Sequence, residues 1–435
     1  MKTKILSIFF SLICLFSFTF IAKAEKATEI NFITHSVFWP LVGKGELLDE
    51  FTKKTGIKVN FISMGHKELA DKVLLEWMAG TGTYDVIGWS GSRFIRDYTK
   101  FMEPLNDFIK KASPEWDFTD LIPAVLKLHT FDDVIYGITI RTGLDILFYR
   151  KDLFNKYGLK VPKTWDEYLT VAKALTLDTD GDGKTDIYGS VFYGDPVYAT
   201  DTASDFIHSF GGKFVEEVAP GKWKAVINSP VSQEALQFMA DLYRKHKVTP
   251  LGLSTMNNAD VITALQQGIA AMSTMYAPYF GSIEDPTKSK VVGKIGYAPL
   301  PAKAGLRFPG VGWTSTWAIC IDKKSKKKEA AWKFVEFFTS KRADLYMAVR
   351  GNLPSRFSAF ESPDFLKQVP TGFNEAVSKQ MASNVGKYTI SAAPAEWAEF
   401  CGTAFNSVLV GVKTSKQALE ELETKINESL KEFKP

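Results

Sequence analysis

Cysteine and histidine are scarce in this chain, with three and five respectively among 435 residues. Cys14 sits in an apolar N-terminal stretch, which leaves Cys320 and Cys401 far apart in sequence. That count excludes a disulfide-rich scaffold. Spacing does not decide between one bridge and two buried thiols. The histidines, at 35, 66, 129, 208 and 246, fall at no metal-ligand spacing. No G-x-S-x-G elbow, H-E-x-x-H helix or Walker loop occurs, and neither late cysteine has a nucleophile's setting. Excess charge is missing too. The formal net charge is +4, and Lys2, Lys4 and Lys23 at the N-terminus supply most of it. The near-neutral remainder carries no electrostatic footprint for nucleic acid or an anionic membrane. Beyond the N-terminal stretch, no apolar run is long enough to cross a bilayer.

What is present begins with Lys2 and Lys4, an apolar run from Ile5 to Ile21, and Ala22-Lys23-Ala24. This order predicts a secretory signal over residues 1–24, cut before Glu25, with an uncleaved anchor as the alternative. The small residues of a lipoprotein site do not precede Cys14, so no lipid anchor is expected. A hydrophobic content of 45% with 13% aromatics suits a globular chain with sizeable cores, and the length suits two or three domains.

Strand and helix signals then alternate. Glu29 to Thr34 reads as a strand, and Leu47, Leu48 and Phe51 mark a helix stopped at Gly56. Ile57 to Ser63 is a second strand, Glu68 to Ala79 a helix, and Tyr84 to Trp89 a third strand. This pattern predicts an α/β fold with a parallel sheet covered on both faces. In such sheets ligands collect at the carboxyl ends of the strands. The candidates there are His35 and Trp39, His66, and Trp89 and Ser90. Further on, Ile269 to Met275 reads as a buried strand that delivers Tyr276 and Tyr279 in a similar way.

The stretch 136–175 is the most informative. Ile138 to Arg150 is β-branched and aromatic, Leu153 to Tyr157 is a short helix ended by Gly158, and Thr164 with Glu167 forms a T-x-x-E capping box. The series Y-R-K-D-L-F, then G-L, then P-K-T-W-D-E resembles the maltose-binding-protein-like family 1 extracellular solute-binding proteins, the carbohydrate receptors of bacterial ATP-binding cassette importers. Gly351 to Arg356 matches that family's G-x-L-P-(S/A)-R loop. The resemblance implies a two-lobed periplasmic binding protein fold, type II-like, with hinged lobes around a central ligand cleft. It places one lobe at 25–140 and 314–357 and the other at 141–313 and 358–435.

The resemblance also implies site residues. Trp313 follows the glycines of the return strand, Trp397 lies where the family has a late stacking aromatic, and Arg141 lies at the hinge. Arg356 is a candidate through its loop. Asp145 and Tyr193 are candidates by position alone. Sugar rings have apolar C–H faces and polar rims, so flat rings beside hydrogen-bonding groups suit them.

Asp178 to Gly189, D-T-D-G-D-G-K-T-D-I-Y-G, reads as a calcium loop. Asp178, Asp180, Asp182, the Lys184 carbonyl and Asp186 fall at ligand positions. Gly189 stands where a bidentate Glu is expected. A structural calcium ion remote from the cleft is the expectation, against a solvated acidic turn without metal. The functional expectation is a monomeric periplasmic receptor that binds a carbohydrate or polyol, performs no catalysis and delivers its cargo to a membrane permease. The alternatives are a secreted glycosidase, or the same fold holding a sugar phosphate or polyamine.

Overall fold

The computed structural model describes residues 28–38, 45–91, 96–219, 222–312, 314–383 and 395–432, without the side chains of Val37, His66, Lys67, Ser315 and Ala395. The expected signal segment, Trp39 and Trp313 lie outside the described residues.

Seven strands form one sheet: β1 (Glu29–His35), β2 (Lys58–Met64), β3 (Val86–Ser90), β4 (Ile138–Arg150), β5 (Met272–Tyr276), β6 (Ile295–Ala298) and β7 (Thr314–Ile321). The path runs β6-β4-β7-β3-β1-β2, with β5 also paired to β4. The parallel sheet expected from the N-terminal alternation is present in β2, β1 and β3. Strand β7 returns antiparallel between β3 and β4.

The principal helices around this sheet are α1 (Glu46–Thr55), α2 (His66–Ala79), α3 (Trp165–Ala174), α4 (Ala199–Ser209), α5 (Lys328–Phe338), α6 (Lys341–Ala348), α7 (Phe373–Ser383), α8 (Ala395–Leu409) and α9 (Ser415–Ser429). Their ends obey local chemistry. Both halves of the capping box at Thr164 and Glu167 form at the start of α3, and the same holds for Thr414 and Gln417 at α9. Gly56 closes α1 in the left-handed region, at φ 70°, where a side chain would be strained.

Two hydrophobic cores flank the sheet's midpoint. One gathers Phe32, Phe51, Trp77, Trp89, Ile138, Ile140, Ile319 and Phe334. The other gathers Leu144, Ile146, Phe148, Trp165, Phe206, Met272, Phe373 and Trp397. Strand β4 runs from one core into the other. Its first half pairs with β7 as far as Leu144↔Thr314, and its second half pairs with β5 from Asp145↔Tyr276 onward. The segment 351–356 runs alongside: Asn352 Nδ2 donates to Ile140 O at 2.8 Å, and Ser355 Oγ to Thr139 O at 3.1 Å. Cys320 and Cys401 are both free and buried, one in each core, so no bridge joins them. No described helix is long and apolar enough to cross a membrane.

Candidate functional site between the two cores

Side chains on a strand alternate between faces, so Arg141, Gly143 and Asp145 share one face of β4. The same row continues sideways. Trp317 on β7 is the register partner of both Arg141 on β4 and Ser90 on β3. At the end of β1, the His35 ring lies 5.3 Å from the Trp317 ring. The Arg141 guanidinium lies beside the Tyr276 hydroxyl. A chain of contacts thus runs from His35 and Trp317 on the first core, through Arg141 and Tyr276, to Asp145 on the second.

Behind Tyr276 the second core supplies a ring of polar groups. The Tyr276 N–H donates to the Tyr193 hydroxyl at 3.4 Å. The Tyr279 ring stands 5.4 Å from the Tyr276 ring in edge geometry, and its hydroxyl accepts from Asn258 Nδ2 at 3.0 Å. Helix α4 adds Asp201 and Asp205, four residues apart and so on one helix face. Asp205 meets Asp145 carboxyl to carboxyl. Gly312, just before β7, approaches Asp205 closely, because a Cβ there would lie 3.0 Å from Asp205 Oδ1. Gln380 of α7 pins this approach: its Oε1 accepts from Leu300 N at 2.7 Å and its Nε2 donates to Gly310 O at 2.8 Å.

Burial dominates the electrostatics. It holds the Asp145 carboxyl well above the usual carboxylate range, and the Asp205 carboxyl beside it adds to the effect. Burial likewise raises Asp201, with the Asp145 charge contributing. The phenols of Tyr193, Tyr276 and Tyr279 are raised, each mainly by burial. His35 is lowered by burial and then by the Arg141 charge, which favours the neutral imidazole. Apart from the Asp205 carboxyl, no described residue offers the two buried Asp145 oxygens a donor, and Arg141 Nε is buried without an acceptor among the described residues. Such groups are costly unless something pairs with them.

Of the sequence candidates, His35, Ser90, Arg141, Asp145, Tyr193, Tyr276 and Tyr279 fall in this region. Of His66, only its place as the first residue of α2 is described. Three expectations need correction. Trp89 neighbours Ser90 on β3, so alternation sends it to the opposite face. There it is sealed against Trp77, 5.1 Å away, and Tyr98. Trp397 is buried in the second core, where its indole N–H donates to Ser429 Oγ at 2.8 Å and fastens α8 to α9. Arg356 is fully buried and directs two of its three nitrogens to protein: Nε donates to Thr339 O at 2.6 Å and Nη1 to Asp117 O at 2.8 Å, beside Asp120, while Nη2 has no acceptor among the described residues. A buried guanidinium must be paired, and this one is used to anchor the 351–356 segment.

Sequence reasoning did not single out Trp317, Asp201, Asp205 or Gln380. Two signals were available. Trp317 shares strand parity with Trp313, and Asp201 and Asp205 are the only acids in a helix whose other residues are largely buried.

The acidic loop stands apart from this site. Carboxylate oxygens of Asp178, Asp180 and Asp186 lie within 4.8 Å of one another, all exposed. Asp178 accepts from Gly181 N at 2.7 Å and Gly183 N at 2.9 Å, and these backbone bonds hold its carboxyl below the usual range. Both glycines are in the left-handed region, which lets the loop fold around the carboxylate. Asp182 accepts instead from the Lys184 N–H at 2.8 Å and its ammonium at 3.2 Å.

Comparison with known proteins points the same way. The family model for bacterial extracellular solute-binding proteins matches residues 42–344. The maltose-bound MalE3 of T. maritima superposes with a TM-score of 0.76 at 27% identity, covering 93% of this chain and 100% of that one. A solute-binding protein of Agrobacterium vitis S4 with bound D-mannitol gives 0.72 at 26% identity, over 93% and 99%. Among curated relatives, the probable amino-acid ABC transporter periplasmic-binding protein y4oP of Sinorhizobium fredii is 24% identical over 87% of this chain and 84% of its own length.

Proposed function

The chain belongs to the bacterial extracellular solute-binding protein family, and from that premise we propose that it is the receptor of an ATP-binding cassette importer for a sugar or polyol. The solute lies between the two cores, against Trp317, Tyr276 and Tyr279, with Arg141 and Asp145 as polar anchors. The protein is exported by its N-terminal signal, works in the periplasm as a monomer, and hands its cargo to a membrane permease unchanged. Maltose and D-mannitol in two structures more than 25% identical support a polyhydroxy solute.

One observation carries this reading. On the same face of the crossing strand, Arg141 Nε has no acceptor and the buried Asp145 oxygens have no donor beyond the Asp205 carboxyl among the described residues. A hydroxyl-rich solute supplies both a donor for the carboxyl and an acceptor for the guanidinium. Solute bound across the crossing makes contacts with both cores only when they close around it, which shifts the population toward the closed form.

The hydrolase alternative fits poorly. Glycosidases hold two carboxyls about 5–9.5 Å apart to leave room for the sugar or a water, whereas the Asp145 and Asp205 carboxyls lie against each other. The loop 178–186 adds a structural calcium ion to the proposal, held by Asp178, Asp180 and Asp186. A hard cation suits clustered carboxylates, and its role here is to offset their repulsion.

The test is a thermal-shift panel of monosaccharides, disaccharides, polyols, sugar phosphates, polyamines and amino acids, with chromatography of each sugar after incubation. Stabilisation by a sugar or polyol without turnover supports the receptor. Sugar hydrolysis, or stabilisation only by amino acids, overturns it.

A further inference from the structure

Strand β4 carries one residue more than β7 where the two cores meet. Thr316 opposes Thr142 and Trp317 opposes Arg141, but the next residue, Ala318, opposes Thr139. Ile140 is therefore the extra residue of a β-bulge. Directly opposed residues share a face, and one inserted residue exchanges the two faces. Without it, the alternation from Thr139 would place Arg141, Gly143 and Asp145 on the side of Ala318 and its partner Trp89, which Trp77 of α2 closes. With it, they fall on the face of Trp317 and His35. The bulge thus decides that the polar groups of β4 and the ring of Trp317 share one space. Bulges beside functional sites re-aim side chains in this way.

An extra residue also leaves the ladder, and the segment 351–356 receives it. Asn352 Nδ2 donates to Ile140 O at 2.8 Å, and Ser355 Oγ to Thr139 O at 3.1 Å, so the carbonyls at the register shift are both held. Leu353 bridges Thr142 on the other side of the bulge. The clamp is itself fixed: Asn352 N donates to Met347 O at 3.2 Å, and the N–H groups of Ser355 and Arg356 donate to the Asp344 carboxyl. Asn352 is 2% exposed. Turning its amide over would set Oδ1 against the Ile140 oxygen, so the nitrogen faces the bulge. Its Oδ1 has no donor among the described residues. The side chain thus pairs one buried oxygen and leaves another unpaired, which is close to neutral for stability. Its gain is the direction it imposes on the Ile140 peptide.

We propose that Asn352 and Ser355 are positioning residues for solute binding: by clamping the Ile140 bulge, they turn Arg141 and the strand beyond it toward the site. Neither needs to touch the solute. This deepens the receptor reading and rests on it, but it concerns how the site is aimed and not which polyhydroxy compound fills it.

The experiment compares Asn352→Leu and Ser355→Ala with wild type by two readouts, with thermal melts to confirm folding. Calorimetry uses D-mannitol, D-sorbitol, ribitol, D-glucose and maltose as probes. Asn352→Leu keeps the volume but gives Ile140 O no donor, and it should weaken the tightest-binding probe at least about tenfold. Ser355→Ala should weaken it less. The second readout needs no solute. Burial and then the Arg141 charge hold the His35 imidazole below its usual range. A clamp that aims Arg141 makes the His35 midpoint, read by NMR titration, higher in both variants, as in Arg141→Ala. A residue that only supports the fold would lower the melting temperature and leave that midpoint alone. A folded Asn352→Leu with wild-type affinity or an unchanged His35 midpoint overturns the inference. If Asn352→Leu does not fold, Ser355→Ala is judged by the same two readouts. Loss of folding in both variants also overturns it, because the pair would then be supports of the fold. If wild type binds none of the probes, the receptor reading fails, and the His35 midpoint alone decides whether the clamp aims Arg141.

Discussion

The Tyr276 hydroxyl occupies the space that a side chain at position 143 would need: a Cβ built on Gly143 lies 1.9 Å from Tyr276 Oη. The absent methyl lets the phenol lie across the crossing strand, between Arg141 and Asp145. Gly143→Ala is therefore expected to push the ring out of the site. Overpacking of this kind costs about 1–3 kcal/mol in stability. Affinity for the solute should fall at least tenfold, about 1.4 kcal/mol, as read by calorimetry beside a thermal melt. Unchanged affinity would show that Tyr276 does not touch the solute.

Trp89 and Trp317 should respond differently to truncation. Trp89 is core, so Trp89→Ala is expected to cost about 3–5 kcal/mol in stability while the folded fraction keeps near-normal affinity. Trp317 stands beside His35 and opposite Arg141, so Trp317→Ala should weaken binding at least tenfold. Urea unfolding with calorimetry on both variants separates the two. The reverse pattern would restore Trp89 to the site.

Asp344 on α6 predicts a specific pH response. Its carboxyl accepts from Ser355 N and Oγ and from Arg356 N, yet burial pushes it up to about 6. The folded protein therefore binds more protons than the unfolded chain between about pH 4 and 6. Stability from this group is highest below that window, falls as pH rises through it, and levels off above about 6. Asp344→Asn removes the term. The stability of wild type relative to the variant should thus drop between pH 4 and 7, by no more than about 3 kcal/mol. Equal slopes in urea titrations across that range would exclude the assignment.

The acidic loop gives a third kind of test. Calcium added to chelator-stripped protein should raise the melting temperature, because an ion bound only by the folded form stabilises it. Asp178→Asn with Asp180→Asn should abolish the increment without changing solute affinity, since the loop carboxylates are exposed whereas Asp145 is buried. A melting temperature indifferent to calcium would leave the loop as a solvated turn.

Local chemistry settled much of the fold in advance. Thr164 with Glu167 and Thr414 with Gln417 mark helix starts because a cap and its reciprocal partner lie within one turn. The run Ile138 to Arg150 reads as a strand because its β-branched and aromatic residues suit a pleated, buried surface. The alternation from Glu29 to Trp89 specified parallel strands, since each needs a crossover helix. The D-x-D-G-D-G spacing gathered Asp178 and Asp180 because the turn is contained within the motif.

Other facts waited for the tertiary structure. Trp89 and Ser90 are adjacent in sequence, but only the packing of α2 decides which face of β3 is sealed. Arg356 looks like a binding residue until Thr339 and Asp117, distant in sequence, are seen to engage its Nε and Nη1. Asp145 and Asp205 are sixty residues apart, and no local period links them. Period and capping are properties of one segment and travel with it. A site is a meeting of segments, fixed by how β4, β7 and α4 dock, and the cost of burying their polar atoms together is a property of that docking alone.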